Sequence, residues 1–377
     1  MDWRIPLFKI YQDEEDIEAV TGVLRSEMNW ATGDEVAGFE EALAKYLGTG
    51  YCLTFNSGTS ALHAVLLAYG IGPGAEVIVP SFTFISTANA PLFTGARPVF
   101  ADIEETTCGL DPADVASKIT ERTKAIIPVH YAGCPCLINE LRQVAREHNV
   151  LLIEDAAEAL GAEAHGTKAG AFGDASVLSF CQNKVITTGE GGAVVTGSPD
   201  IYEKLKLIRS HGRADTADYF STTAHIDYVS LGYNFRLSNL SAALGLAQLR
   251  KIERLIEMRR EKAGRLTGAL SPVEGLLPPL APEGFRHVYQ MYSIRVPAEY
   301  RDGLQDCLAG NGIMSKVNFF PVHLTEFYKN RLGYDCRLPV TETVARQILT
   351  LPLYPQLGER DIEDITRHIT TYLAETA

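Results

Sequence analysis

From about residue 50 to residue 200 the chain alternates short β-branched runs with helical stretches, and this alternation limits the fold more than any other feature. The runs are "CLTF" (52–55), "VIVP" (77–80), "PVFAD" (98–102), "KAIIPV" (124–129), "VLLIED" (150–155), "SVLSF" (176–180) and "GAVVT" (192–196). A helix between successive strands returns the chain to the same end of the sheet, so the strands pair in parallel and both faces are covered. The class is therefore α/β. In such a sheet ligands bind beyond the carboxyl ends of the strands, which makes the motifs at strand ends the ones that carry chemistry.

After residue 238 the pattern changes. "SNLSAALGLAQLRKIERLIEMRREKAGRL" has a cap-like Ser238 and predicts one long amphipathic helix bridging two domains. A Pro-rich connector, "LLPPLAPEGF", follows, then "HVYQMYSIRV", "MSKVNFF" and the helical tail "ERDIEDITRHITTYLAETA". At 377 residues the chain exceeds one small core. We expect a large α/β domain over 1–250 and a small C-terminal α+β domain over 251–377, with the N-terminal segment packing near the small domain.

Lys and Arg total 34 against 47 Asp and Glu, a net charge of −13. That balance argues against a general nucleic-acid or anionic-membrane surface. No apolar run approaches the roughly 20 residues that span a bilayer. The N-terminal "MDWRIPLFKIYQDEED" has charges within its apolar stretch and no small-residue cleavage site, unlike a signal peptide. A cytoplasmic protein is expected. Seven scattered cysteines read as free thiols, and Cys134-Pro-Cys136 lacks the second pair or histidine cluster of a metal site, so no metal is expected.

Three strand ends stand out. In "FNSGTSALHAVLLAYG" a helix starting near Thr59 offers free amides at Gly58, Thr59 and Ser60, either a plain capped start or a phosphate cradle. Neither a P-loop nor G-x-G-x-x-G is present, which leaves nucleoside triphosphatases and Rossmann dehydrogenases unsupported. In "VLLIEDAAEALGA" the acids Glu154 and Asp155 point to opposite faces of their strand and cannot share a role. Asp155 either caps the next helix or faces the cleft, and Glu158 lies one helical turn on. In "SVLSFCQNKVITTGEGG" Lys184 follows an apolar strand, so it must snorkel, pair or lose its proton, the last making an amine nucleophile. Ser179 precedes it, and the glycines of "TTGEGG" let backbone approach a ligand. Together these are a phosphate cradle, an acid for a cationic ring nitrogen and a lysine for an aldehyde, the set that pyridoxal 5'-phosphate (PLP) needs.

Ten ordered segments extend the pattern, among them "NSGTSAL", "GAEVIVPSFTFISTANA", "GARPVFADI", "IEDAAEALGA", "RSHGR" and "LGYNFRLSNLSAALGLAQL". On these residues the chain resembles the DegT/DnrJ/EryC1/StrS family of PLP-dependent sugar aminotransferases. The resemblance implies an aspartate-aminotransferase-like, fold type I architecture with a mostly parallel seven-stranded sheet. It makes Lys184 the covalent anchor of the cofactor and Asp155 the partner of its ring nitrogen. Phe84 falls against the ring, with a core role as the alternative, and Thr59, Ser60 and Ser179 match phosphate ligands. Asn234 matches an asparagine that reaches the phosphate of the neighbouring subunit, which implies a homodimer with shared active sites. Arg213 and Arg236 are candidates for contacts between subunits, or ordinary ion pairs.

Departures from the family pattern narrow the expectation. "SFCQNKV" replaces the commoner "SFHPTKN", Glu158 stands where many members have histidine or glutamine, and "VHYAGCPC" replaces "VHLYGQPA". The first two resemble the GDP-perosamine synthase branch, and Lys184 argues against the family's dehydratases, which carry histidine there. The resemblance implies glutamate as donor and a nucleotide-linked keto sugar, a 4-keto-6-deoxyhexose, as acceptor. A keto-inositol or 3-keto sugar is the alternative within this chemistry, and a non-catalytic PLP-binding regulatory protein the alternative outside it. Glu158 is placed against the cofactor's phenolic oxygen or the sugar, and His323 either borders the substrate pocket or is structural.

Overall fold

The computed structural model describes residues 3–214, 222–223 and 226–376. Helices α1 (Glu14–Arg25) and α2 (Asp34–Leu47) lead into β1 (Tyr51–Phe55), α3 (Gly58–Ala68), β2 (Glu76–Pro80), α4 (Ile85–Thr94) and β3 (Arg97–Ala101). Then come α5 (Pro112–Lys118), β4 (Thr123–Ile126), α6 (Ile138–Glu147), β5 (Leu151–Asp155), the short β6 (Glu163–Ala164) and β7 (Thr167–Lys168), β8 (Ala175–Ser179), β9 (Gly192–Thr196) and α7 (Pro199–Arg209). The seven-stranded sheet has the order β1-β9-β8-β5-β4-β2-β3. It is parallel except for β9, which runs antiparallel to both β8 and β1. Each strand matches an apolar run of the sequence to within a residue or a few.

The strands are buried on both faces, and alternate residues divide between two cores. Val77 and Val79 of β2 join Leu62, Val65 and Leu66 of α3, while Ile78 joins Leu141 of α6 on the other face. On β9, Val194 packs with α3, whereas Ala193 and Val195 pack with Phe39 and Leu43 of α2. This period of two is what a strand sandwiched between helix layers requires.

The predicted bridging helix is two helices, α8 (Asn239–Arg250) and α9 (Ile252–Leu270). Ser238 does cap the first, accepting from the Ser241 amide. The break falls at Lys251 (φ −110°, ψ 11°), whose ammonium is held by Asp13 and Asp16 near the start of α1. α8 is thus free to lie along α1 and α2, burying Ala242, Ala243, Ala247 and Leu249. α9 then crosses between cores: Ile252, Leu255 and Ile256 belong to the large-domain core, and Ala263, Leu266 and Leu270 to the small-domain core.

The small domain adds β11 (Tyr292–Arg295), α10 (Ala298–Gly310), α11 (Pro339–Gln347), β12 (Ile348–Leu351) and α12 (Glu359–Thr376), preceded by β10 (Phe285–Arg286), which pairs with β6 of the large domain. β11 and β12 form an antiparallel pair. Ile5 is fully buried in this core and bridges to Ile313. Among the described residues no helix is long and apolar enough to cross a membrane.

Candidate active site

The parallel strands bring four segments to one edge of the sheet: the start of α3, the loop 81–84 after β2, the end of β5 and the loop after β8. At the first, β1 ends at Phe55 and Ser57, with extended backbone, caps α3 by accepting from the Ser60 amide at 3.1 Å. Ser60 Oγ donates to Asn56 Oδ1 at 2.7 Å and shares a 2.9 Å hydrogen bond with Ser57 Oγ. A Cβ on Gly58 would sit 3.2 Å from Ser179 Cβ, so the turn and the end of β8 are in direct contact and Gly58, Thr59, Ser60 and Ser179 form one group. The Ser60 amide, expected to be free, is therefore taken by the cap, and the positive end of the helix suits an anion at Gly58 and Thr59.

The glycines after Lys184 also allow close packing within the protein. A Cβ on Gly192 would lie 2.5 Å from the Gly58 nitrogen, and one on Gly191 would lie 2.3 Å from Thr188 Oγ1. Gly192 lets β9 press against the α3 turn and so shape the cradle from behind, whereas Gly191 packs against Thr188, Leu237 and Phe180.

On β5 the two acids divide as strand alternation requires. Glu154 is fully buried and accepts from the amides of Gly170, Phe172 and Gly173 at 2.7–2.8 Å and from His130 Nε2 at 2.9 Å. His130 Nδ1 accepts from the Cys136 amide, which fixes the ring proton on Nε2. Glu154 is a structural acid. Asp155, on the other face, accepts from Thr87 Oγ1 at 2.8 Å and from the Ala157 amide at 3.2 Å. Burial pushes its carboxyl above the ordinary range, against the pull of Thr87, Ala157 and Lys184. Thr83 Oγ1, 2.9 Å from Thr87 Oγ1, continues that chain of hydroxyls.

Lys184 stands in the loop after β8 with its side chain 14% exposed, and its Nζ lies 3.4 Å from Glu158 Oε1. The other oxygen of Glu158 accepts from the Ala132 amide at 2.9 Å. Ala132 holds a left-handed backbone (φ 57°) inside "HYAGC", which turns that amide inward. This stretch replaces the commoner family sequence, and its cysteines act as packing groups: burial pushes the Cys134 thiol up to about 12.

Phe84 is 59% exposed at the start of α4, its ring centroid 6.3 Å from that of Phe319, so it belongs to the rim and not to the core. Asn234 is exposed, and its carbonyl accepts from Asn56 Nδ2 at 3.4 Å beside the cradle. Arg236 donates to Ser210 Oγ at 3.0 Å, and Arg213 bridges through its backbone to Tyr228. Of the two readings of His323, its surroundings favour the structural one: it is buried, with Nδ1 2.6 Å from Ser81 Oγ and Nε2 3.6 Å from Glu342. It holds the loop that presents Phe84.

Thr87, Thr83 and the Ala132 amide were missed at the sequence level. The hydroxyl spacing in "SFTFISTANA" was the one available signal for the threonines.

The profile of the DegT/DnrJ/EryC1/StrS aminotransferase family matches residues 11–370. A GDP-perosamine synthase of Caulobacter vibrioides is 39% identical over 345 residues, covering 89% of each chain. The aminotransferase TlmJ from Streptoalloteichus hindustanus superposes with a TM-score of 0.93 at 32% identity, covering 99% of this chain and 100% of the other. Spr1654 from Streptococcus pneumoniae, in a PLP form, superposes with a TM-score of 0.91 at 29% identity, covering 99% of this chain and 99% of the other.

Proposed function

Because the chain belongs to the DegT/DnrJ/EryC1/StrS aminotransferase family and is a transaminase, we propose that it binds pyridoxal 5'-phosphate and moves an amino group from glutamate to a keto group of a nucleotide-linked sugar. The family implies that cofactor, and the residues at the strand ends fit it. A cationic ring nitrogen would relieve the buried Asp155 carboxylate, and the α3 turn with Ser179 offers an anion site at the same edge. The observation that carries the reading is the Lys184 amine, 3.4 Å from Glu158 at that edge.

Bound PLP supplies an aldehyde conjugated to an electron-accepting ring. The chain's residues supply the rest. Lys184 anchors the cofactor through Nζ and, when released, Nζ takes the proton from the donor's α-carbon and returns one to the acceptor carbon. Glu158 Oε1 holds the ammonium that Nζ becomes, while the Ala132 amide keeps that carboxylate from swinging away. Asp155 holds positive charge at the ring nitrogen, and Thr87 fixes its rotamer. Gly58, Thr59, Ser60 and Ser179 would bind the phosphate, and Phe84 would lie against the ring. On this reading the homodimer is the catalytic unit, with Asn234 of one subunit reaching the phosphate of the other.

A perosamine-type acceptor, a 4-keto-6-deoxyhexose on a nucleoside diphosphate, is favoured by Glu158 beside Lys184, by the "N-K" dipeptide and by the identity to a GDP-perosamine synthase. The test is a half-reaction screen following the cofactor's visible absorbance. Glutamate should shift the band and a 4-keto-6-deoxyhexose nucleotide should restore it. Restoration by no nucleotide sugar would overturn the reading.

A further inference from the structure

We propose that Gln290, in the segment leading into β11, is a positioning residue that holds Lys184 in register with Glu158. The proposal rests on the reading of Lys184 as the reacting amine. Gln290 is buried, and its Nε2 donates to the carbonyl of Asn183 at 2.9 Å, the peptide immediately before Lys184. Its Oε1 is buried with no donor among the described residues. An apolar side chain of similar shape would avoid that orphaned oxygen, so the amide is better explained by its hold on Asn183 than by packing.

The same short segment also grips the partner of Lys184. The Val288 amide donates to Gly133 O at 3.0 Å, and the Met291 amide donates to Ala132 O at 3.2 Å. Gly133 has φ +93°, and a Cβ there would come within 3.0 Å of the Gln290 nitrogen. Ala132 is the residue whose amide holds Glu158. Both halves of the Lys184–Glu158 pair therefore hang from residues 288–291.

The segment itself is braced. Arg259 of α9 is buried and donates to the carbonyls of Tyr289, Gln290 and Leu353 at 3.3–3.5 Å. His287 stacks on Tyr289 with centroids 4.0 Å apart and accepts from the Tyr289 amide. A bracket built from the domain-crossing helix thus sets the position of the lysine loop.

The test is amide hydrogen exchange on the cofactor-free full chain, comparing wild type with Gln290→Met and Gln290→Glu. In Gln290→Met the Lys184 amide, which donates to Cys181 O at 3.0 Å, should exchange about tenfold faster. Amides of the β11–β12 ladder and the melting temperature should stay unchanged. Gln290→Glu should restore protection at acid pH, where its carboxyl carries a proton to donate to Asn183, and lose it as that carboxyl ionises. In the PLP-loaded enzyme, Gln290→Met should lower kcat with KM for the amino donor unchanged. Unchanged exchange at Lys184 would overturn the proposal, and so would equal acceleration throughout the ladder, which marks a purely structural role. A wild-type enzyme that aminated no nucleotide sugar would overturn the proposed function and leave the exchange result standing.

Discussion

Asp155 carries a conflict that its neighbour Glu154 does not. Glu154 is bound by three amides and a histidine, whereas Asp155 has one hydroxyl and one amide, and burial raises its pKa. A carboxyl with a raised folded-state pKa binds protons more tightly folded than unfolded, so its contribution to stability falls as pH climbs through that window. Asp155→Asn should therefore stabilise the cofactor-free protein at neutral pH by about 1 kcal/mol, with the gain shrinking as the pH falls toward the range where Asp155 protonates. The same substitution should lower activity about 100-fold or more, because the ring nitrogen loses its counter-charge. Thermal melts across pH beside turnover assays check both. Glu158→Gln keeps an acceptor for the Ala132 amide and removes the charge beside Lys184, so kcat should fall about tenfold with the fold intact. That Lys184, Asp155 and Glu158 would lie near one strand edge was legible because strand periodicity and turn chemistry act within a few residues. Thr87 was not, since its partner is 68 positions away, nor was the left-handed Ala132, whose conformation no small residue type announces.

The strands and the start of α3 were readable as elements, because β-branched runs and a serine cap are local signals. The antiparallel course of β9 was not: it follows β8 directly, and the pairing partner that fixes it, β1, is far away in sequence. The break at Lys251 was hidden for the same reason, since it is set by acids at Asp13 and Asp16. The packing of the "TTGEGG" glycines against the α3 turn was not readable, because close approach to protein and close approach to a ligand demand the same residue. Gly192→Ala tests the observed purpose. Its methyl group would collide with Gly58 and Ser57, so we expect a loss of about 2 kcal/mol or more in denaturant unfolding. Affinity for inorganic phosphate in the cofactor-free protein should fall with it.

The two cores meet along α9, and the N-terminal strand segment returns to the small domain through Ile5, with its amide donating to Gly312 O and its carbonyl accepting from Met314. Ile5→Ala should cost about 2–4 kcal/mol through the cavity it leaves, read as a lower melting temperature. It lies in the small-domain core, so the cofactor band should survive until the protein melts. The change of pattern after residue 238 was readable, but the sharing of α9 between two cores and the pairing of residues 285–286 with β6 were not, because only the folded chain decides which core a helix face meets. On the proposed reading all of the site's parts serve a single amine. Borohydride reduction of the PLP-loaded protein, followed by peptide mapping, tests that most directly: the account predicts a pyridoxyl group on Lys184 and loss of the visible band in Lys184→Ala. A label on another lysine, or a Lys184→Ala protein that keeps the band, would contradict it.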